Sequence, residues 1–158
     1  MIYVIVAIKN EAQAFVDKFK LNTSKSNDKI SLIISGIGSE NMFNTTKNII
    51  EKMNSNDTLV NVGICGASKK YEIGQLLDAS SASLRKDINL TCVDYEVSHN
   101  NYEVVDMESK GFIEASKDVK NKYIFKIVSD HFEPSSVTKN MAKKLIFDKI
   151  DEIMEKIS

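Results

Sequence analysis

A chain of 158 residues with 42% hydrophobic content can bury about 70% of its unfolded surface, so residues 1–158 are read as one domain. Its 21 basic and 22 acidic residues leave a formal charge of −1, which excludes the basic field that a nucleic-acid partner needs. Lysines carry nearly all the positive charge. Arg85 is the single arginine, so the usual bidentate clamp for phosphate is scarce.

Residues 2–7 form a continuous apolar, β-branched run of strand length, the pattern of a strand buried on both faces. Ala12, Phe15, Val16 and Phe19 then recur at helical spacing over residues 11–19. Residues 21–29 are polar turn material, 30–35 a second strand, and Gly36 and Gly38 punctuate its exit. Residues 39–53 place Met42, Phe43, Ile49, Ile50 and Met53 on one helical face, and 58–62 read as a third buried strand. After a glycine-punctuated stretch at 63–67, strands are expected at 75–79, at 90–93 and ending at Val105. A helix is expected over 107–119, a buried strand over 123–128, and a closing amphipathic helix over 137–157. Strands and helices alternate, which predicts an α/β fold: a three-layer αβα sandwich around a mixed, mostly parallel sheet.

Cys65 and Cys92 are far apart and have no CxxC spacing, so neither a disulfide framework nor a zinc site is expected. His99 and His131 are not at ligand spacing either, and no metal or other cofactor is read. The opening lacks a basic leader and a cleavage-like site, and no stretch approaches about 18 apolar residues. A cytoplasmic protein with no membrane partner is the expectation.

In α/β folds, ligands collect where loops leave the carboxyl ends of strands. Five exits here carry glycines or acids: AIKNEA, SGIGSEN, NVGICGAS, VDMES and IVSDHFEP. Each has a plain structural reading. Glu11 suits the first turn of a helix, where the dipole favours a negative charge. Gly36 and Gly38 suit a tight turn with Ser39 as N-cap. The turn fails the dinucleotide fingerprint at Asn41, and no GK[ST] follows to make a P-loop. Asp106 can cap the next helix, with Glu108 in its first turn and Met107 as core filler. Asp130 can belong to a polar turn before Pro134. The functional alternative is that the exits converge. Glu11 would then orient water, Asp130 would donate a proton, and the glycine turn would hold an oxygen or an anion.

The ordered set AIKNE, SGIG, NVGICGA with IGQLLDAS, VDMES and VSD resembles the nucleoside phosphorylase/nucleosidase superfamily. It is most similar to a shortened methylthioadenosine/S-adenosylhomocysteine nucleosidase, and the likeness spans residues 2–132. It implies hydrolysis of the N-glycosidic bond of a purine-type nucleoside through an oxocarbenium-like sugar, a need shared with glycoside hydrolysis. By motif position Asp130 would protonate the leaving base and Glu11 would position or deprotonate water. Glu108 would bind the ribose hydroxyls, Met107 would pack on the sugar, and Asp106 would remain a cap. Gly36, Gly63, Ser129, Tyr95 and Val97 would complete the substrate site, with no cofactor and a small-molecule nucleoside as ligand. The resemblance also implies a homo-oligomer, a dimer being favoured.

The sequence departs from the pattern at several points. Ile64 replaces a hydroxyl residue that contacts phosphate or water, and Asn61 stands where bacterial purine phosphorylases carry an arginine. Both departures favour hydrolysis over phosphorolysis. Glu96 replaces a base-stacking aromatic, a role that Tyr95 could take instead. Gln75 replaces an aspartate, and the segment 80–104 is short. A phosphate-dependent phosphorylase and a non-catalytic nucleoside-binding protein remain the alternatives.

Overall fold

The computed structural model describes residues 1–80 and 88–158; Arg85 lies outside the described residues. Among these, the strands are β1 (Ile2–Val6), β2 (Ile30–Ile34), β3 (Thr58–Ala67), β4 (Leu76–Asp78), β5 (Leu90–Cys92), β6 (Val104–Asp106) and β7 (Lys122–Asp130). The helices are α1 (Lys9–Phe19), α2 (Ser39–Ile50), α3 (Ser109–Ala115), α4 (Lys139–Phe147) and α5 (Ile150–Ile157), with a 3-10 turn at Pro134–Ser136.

All seven strands join one sheet, organised around β3. The first half of β3 pairs in parallel with β1, from Thr58 opposite Ile2 to Asn61 opposite Ile5. Beyond the end of β1, the last residues of β3 pair antiparallel with β6, Gly66 facing Val105. Along its other edge β3 pairs in parallel with β7, and β4 closes that side antiparallel. The sheet is therefore mixed and mostly parallel, as the alternation of strands and helices predicts. The third strand was expected to stop at residue 62. It continues through the glycines to Ala67 because β6 and β7 take up the backbone groups that β1 leaves unpaired.

Helices cover both faces. On one, Phe15 of α1, Ile146 of α4 and Ile150 and Ile153 of α5 pack with Val4, Val60, Phe125 and Ile127. On the other, Met42 and Ile49 of α2 and Phe112 of α3 pack with Ile5, Leu59 and Ile124. The α2–α3 contact is backbone to backbone, since a Cβ added at Gly111 would lie 1.9 Å from the Ser39 carbonyl oxygen. The expected closing helix is divided by a turn at Asp148 and Lys149. Ile150 at the start of the second piece is fully buried. No helix among the described residues is long and apolar enough to cross a membrane.

Candidate active site

The exits of β1, β2, β3, β5, β6 and β7 surround one cavity of about 210 Å³. Glu11, Val97, Met107, Glu108, Ser129 and Asp130 all line it. Its construction begins at Asp106, whose Oδ2 accepts from the amides of Glu108 (3.3 Å) and Ser109 (2.8 Å), while the Ser109 hydroxyl donates to Oδ1. These bonds start α3 at Ser109, two residues later than the sequence suggests. Met107 and Glu108 therefore stay outside the helix and face the cavity. The N-cap position falls to Glu108, not to Asp106; Asp106 instead holds the amides that lead into the helix, and that is half of its work.

The other half is Lys126. Its side chain is 1% exposed, and its ammonium lies 2.8 Å from Asp106 Oδ2. This is an ion pair by distance; the ammonium has no well-directed hydrogen bond. Burial disfavours its charge, yet Asp106, Glu108 and Glu11 together outweigh that cost and hold its pKa above the ordinary lysine value. Gly63 faces Lys126 across the β3–β7 ladder. A Cβ there would sit 3.3 Å from Lys126 Nζ and 3.4 Å from Glu11 Oε1. Gly63 thus makes room for the charged cluster behind the cavity and does not line it.

Glu11 is buried, not the surface glutamate of the plain reading. Its Oε2 accepts from the amides of Ala7 (2.9 Å) and Ile8 (3.2 Å), and its Oε1 from Ile64 (3.3 Å). It closes the first turn of α1 and ties β1 to β3. Burial raises its pKa above the ordinary glutamate value, against the pull of Lys126 and of the amides. Glu108 behaves alike: burial raises its pKa, while Lys126 and the Gly38 amide oppose the rise. That amide donates to Glu108 Oε2 at 3.0 Å. The glycine turn is therefore engaged by a carboxylate of the protein. Gly38 (φ 99°), not Ser39, is the N-cap of α2. Gly36 (φ 87°) shapes the turn without lining the cavity, where its neighbour Ile37 stands instead.

On the opposite wall a register shift between Cys65 and Gly66 brings Gly66 level with Asp130. Such a bulge re-aims side chains at the end of a strand, and both Ser129 and Asp130 reach the cavity. The Ser129 hydroxyl donates to Asp130 Oδ1 at 2.6 Å, and the Glu133 amide donates to Oδ2 at 2.9 Å. Cys65 also lines the cavity, but burial pushes its thiol pKa up, so it is no nucleophile. Tyr95 is 81% exposed and outside the lining; its neighbour Glu96 lines the cavity. Asn61 is buried beneath the site, its amide donating to the Ile5 carbonyl at 3.2 Å.

Compared with solved structures, the chain is similar to Helicobacter pylori 5'-methylthioadenosine/S-adenosylhomocysteine nucleosidase with butyl-thio-DADMe-Immucillin-A. The two are 12% identical, with 99% of this chain and 96% of that one covered and a TM-score of 0.75. The Campylobacter jejuni 5'-methylthioadenosine/S-adenosylhomocysteine nucleosidase is 15% identical over 98% of this chain and 96% of that one, with a TM-score of 0.74. Futalosine hydrolase of Helicobacter pylori strain 26695 is 12% identical over 99% and 96%, again at 0.74. The chain shares the fold of these solved structures. No protein-family model and no curated protein matches the sequence.

Sequence reading assigned no role to Lys126, behind the cavity, or to Glu96, which lines it. Lys126 had a visible signal, a lone charge inside the apolar run YIFKIV of a strand read as buried on both faces. A second cavity, of about 280 Å³, lies between Phe112, Ile113 and Tyr123. Among the described residues it holds no facing pair of acids, and Lys122 on its rim already donates to the Ser116 and Lys117 carbonyls.

Proposed function

We propose that this protein is a nucleosidase that hydrolyses the N-glycosidic bond of a purine-type nucleoside to free base and sugar. The observation that carries this reading is the meeting of Glu11, Met107, Glu108, Ser129 and Asp130 in one cavity. Glu108 accepts hydrogen bonds from the ribose hydroxyls, and Met107 packs on the sugar. As the C–N bond breaks, its electron pair leaves with the base, and a ring nitrogen of the base takes the proton held at Asp130. The sugar becomes oxocarbenium-like, and the surrounding carboxylates favour that positive charge. Water adds to the anomeric carbon and gives its proton to Glu11. The raised pKa of Glu11 moves that carboxylate toward the range useful to a general base.

Water is favoured over phosphate as the nucleophile. Ile64 lines the cavity without a hydroxyl, Asn61 is committed to the Ile5 carbonyl, and Lys126 is surrounded by acids. The site thus offers phosphate no free cation among the described residues that line it. A cytoplasmic location fits the thiol chemistry. Self-association fits the exposed Ile37 and Ile113, and light scattering would read it.

The test is release of free base from methylthioadenosine, S-adenosylhomocysteine, adenosine, inosine and futalosine, with and without phosphate. Asp130→Asn should lower turnover by about 10²- to 10⁴-fold, the usual worth of a general acid. Wild type as inactive as Asp130→Asn on the whole panel would refute the proposal. Strict phosphate dependence with ribose 1-phosphate as product would convert it to a phosphorylase.

A further inference from the structure

Among the described residues, five carboxylates line the cavity: Glu11, Glu96, Asp106, Glu108 and Asp130. Four are built into the fold by hydrogen bonds. Glu11 holds the amides of Ala7, Ile8 and Ile64, and Asp106 holds Ser109 and the Lys126 ion pair. Glu108 holds the Gly38 amide, and Asp130 holds the Ser129 hydroxyl and the Glu133 amide. Glu96 stands apart, with no hydrogen bond or ion pair to any described residue. Nothing in the fold accounts for a carboxylate there, on the segment that follows β5.

We propose that Glu96 is a specificity residue, and that its carboxylate recognises a substrate group presenting paired N–H donors. An ionised carboxylate is acceptor-only and takes two parallel donors well. Two parts of a nucleoside can supply them: a base edge in which a ring N–H adjoins an amino group, as in guanine, or an ammonium on the sugar's 5' carbon. In both, Glu96 favours a donor-rich or cationic ligand and disfavours one that turns a carbonyl or phosphate oxygen toward it. This inference rests on the nucleosidase reading for the ligand class, and adds the choice among nucleosides.

The experiment compares wild type, Glu96→Gln and Glu96→Ala on guanosine, inosine, adenosine and 5'-amino-5'-deoxyadenosine, measuring kcat/KM for base release and Kd by calorimetry. Glu96 is exposed and unpaired, so both variants should keep the wild-type melting temperature. A hydrogen bond to a charged group is worth about a 10- to 100-fold preference. That preference should appear in wild type and vanish in both variants. A loss of guanosine over inosine discrimination assigns the base edge. A loss of 5'-amino-5'-deoxyadenosine over adenosine discrimination assigns the 5' group. Unchanged ratios in both variants would overturn the proposal. If wild type binds the panel but releases no base, the hydrolase reading fails while the Kd ratios still decide the role of Glu96. If it binds none of the four, both fail.

Discussion

Replacing Lys126 with methionine removes the only buried cation among the described residues behind the cavity and leaves a side chain of similar length. Asp106 loses its ion pair at 2.8 Å, and Glu11 and Glu108 lose the charge that holds their pKa values down. Removing one partner of a buried pair strands the other, at a typical cost of about 3–5 kcal/mol. For a chain of this size that is a drop of about 6–20 °C in melting temperature, at about 2–4 °C per kcal/mol. The deficit carries a pH signature. Glu11 and Glu108 already have folded pKa values above 4.5, and the substitution raises them further. A carboxylate with a raised folded pKa contributes stability that is fully present below its unfolded pKa and is lost as pH rises through its folded pKa. The gap between wild type and Lys126→Met should therefore be small near pH 4 and grow toward neutral. Urea unfolding of both proteins across that range reads it. Adding Asp106→Asn to Lys126→Met should recover part of the loss at neutral pH, because an apolar or neutral replacement of a whole buried pair is often tolerated. A loss below about 1 kcal/mol, the scale of an exposed ion pair, or one that does not vary with pH, would refute the placement of Lys126 as the compensating charge.

The single substitutions around it separate fold from chemistry. Glu11→Gln should raise stability above the folded pKa of Glu11, where the wild type carries a disfavoured buried charge, and change little at acidic pH; thermal melts over pH 4–8 check the sign. Glu108→Gln keeps an acceptor for the Gly38 amide, so its cost should fall on function. About a 10- to 100-fold loss in kcat/KM is expected for a lost charged hydrogen bond to the ribose, with the melting temperature nearly unchanged. Asp106→Asn should do the reverse, lowering the melting temperature more than kcat/KM, because it leaves Lys126 short of its nearest counter-charge. Gly111→Ala has no room at 1.9 Å from the Ser39 carbonyl, so α2 and α3 must separate. Its cost should lie at or above the upper end of the roughly 1–3 kcal/mol of ordinary overpacking, measured by urea unfolding.

The layers were legible because runs such as residues 2–7 and 123–128 are apolar without interruption, which only a sheet covered on both faces accommodates. The exits were legible as well, since glycines and acids follow each run in the sequence. What periodicity could not show is how a single backbone step sorts neighbouring side chains. Asp106, Met107 and Glu108 are consecutive and all reach the cavity wall, yet the Asp106 oxygens are taken up by Lys126 and the helix start while Met107 and Glu108 are not. That division depends on α3 beginning at Ser109, whose amide Asp106 holds. The same limit applies at Tyr95 and Glu96. Stacking chemistry favours the aromatic residue, but the turn after β5 exposes Tyr95 and puts the carboxylate at the cavity. Gly63 shows the converse. As a sequence motif it reads as backbone making way for a ligand, whereas its absent Cβ makes way for Lys126 and Glu11. A glycine in a strand reports that something comes close; only the sheet register, pairing it with Lys126, says what. The buried charge follows from that register. One cation among three acids offsets part of the negative charge on the inner wall, and that is the balance that Lys126→Met would upset.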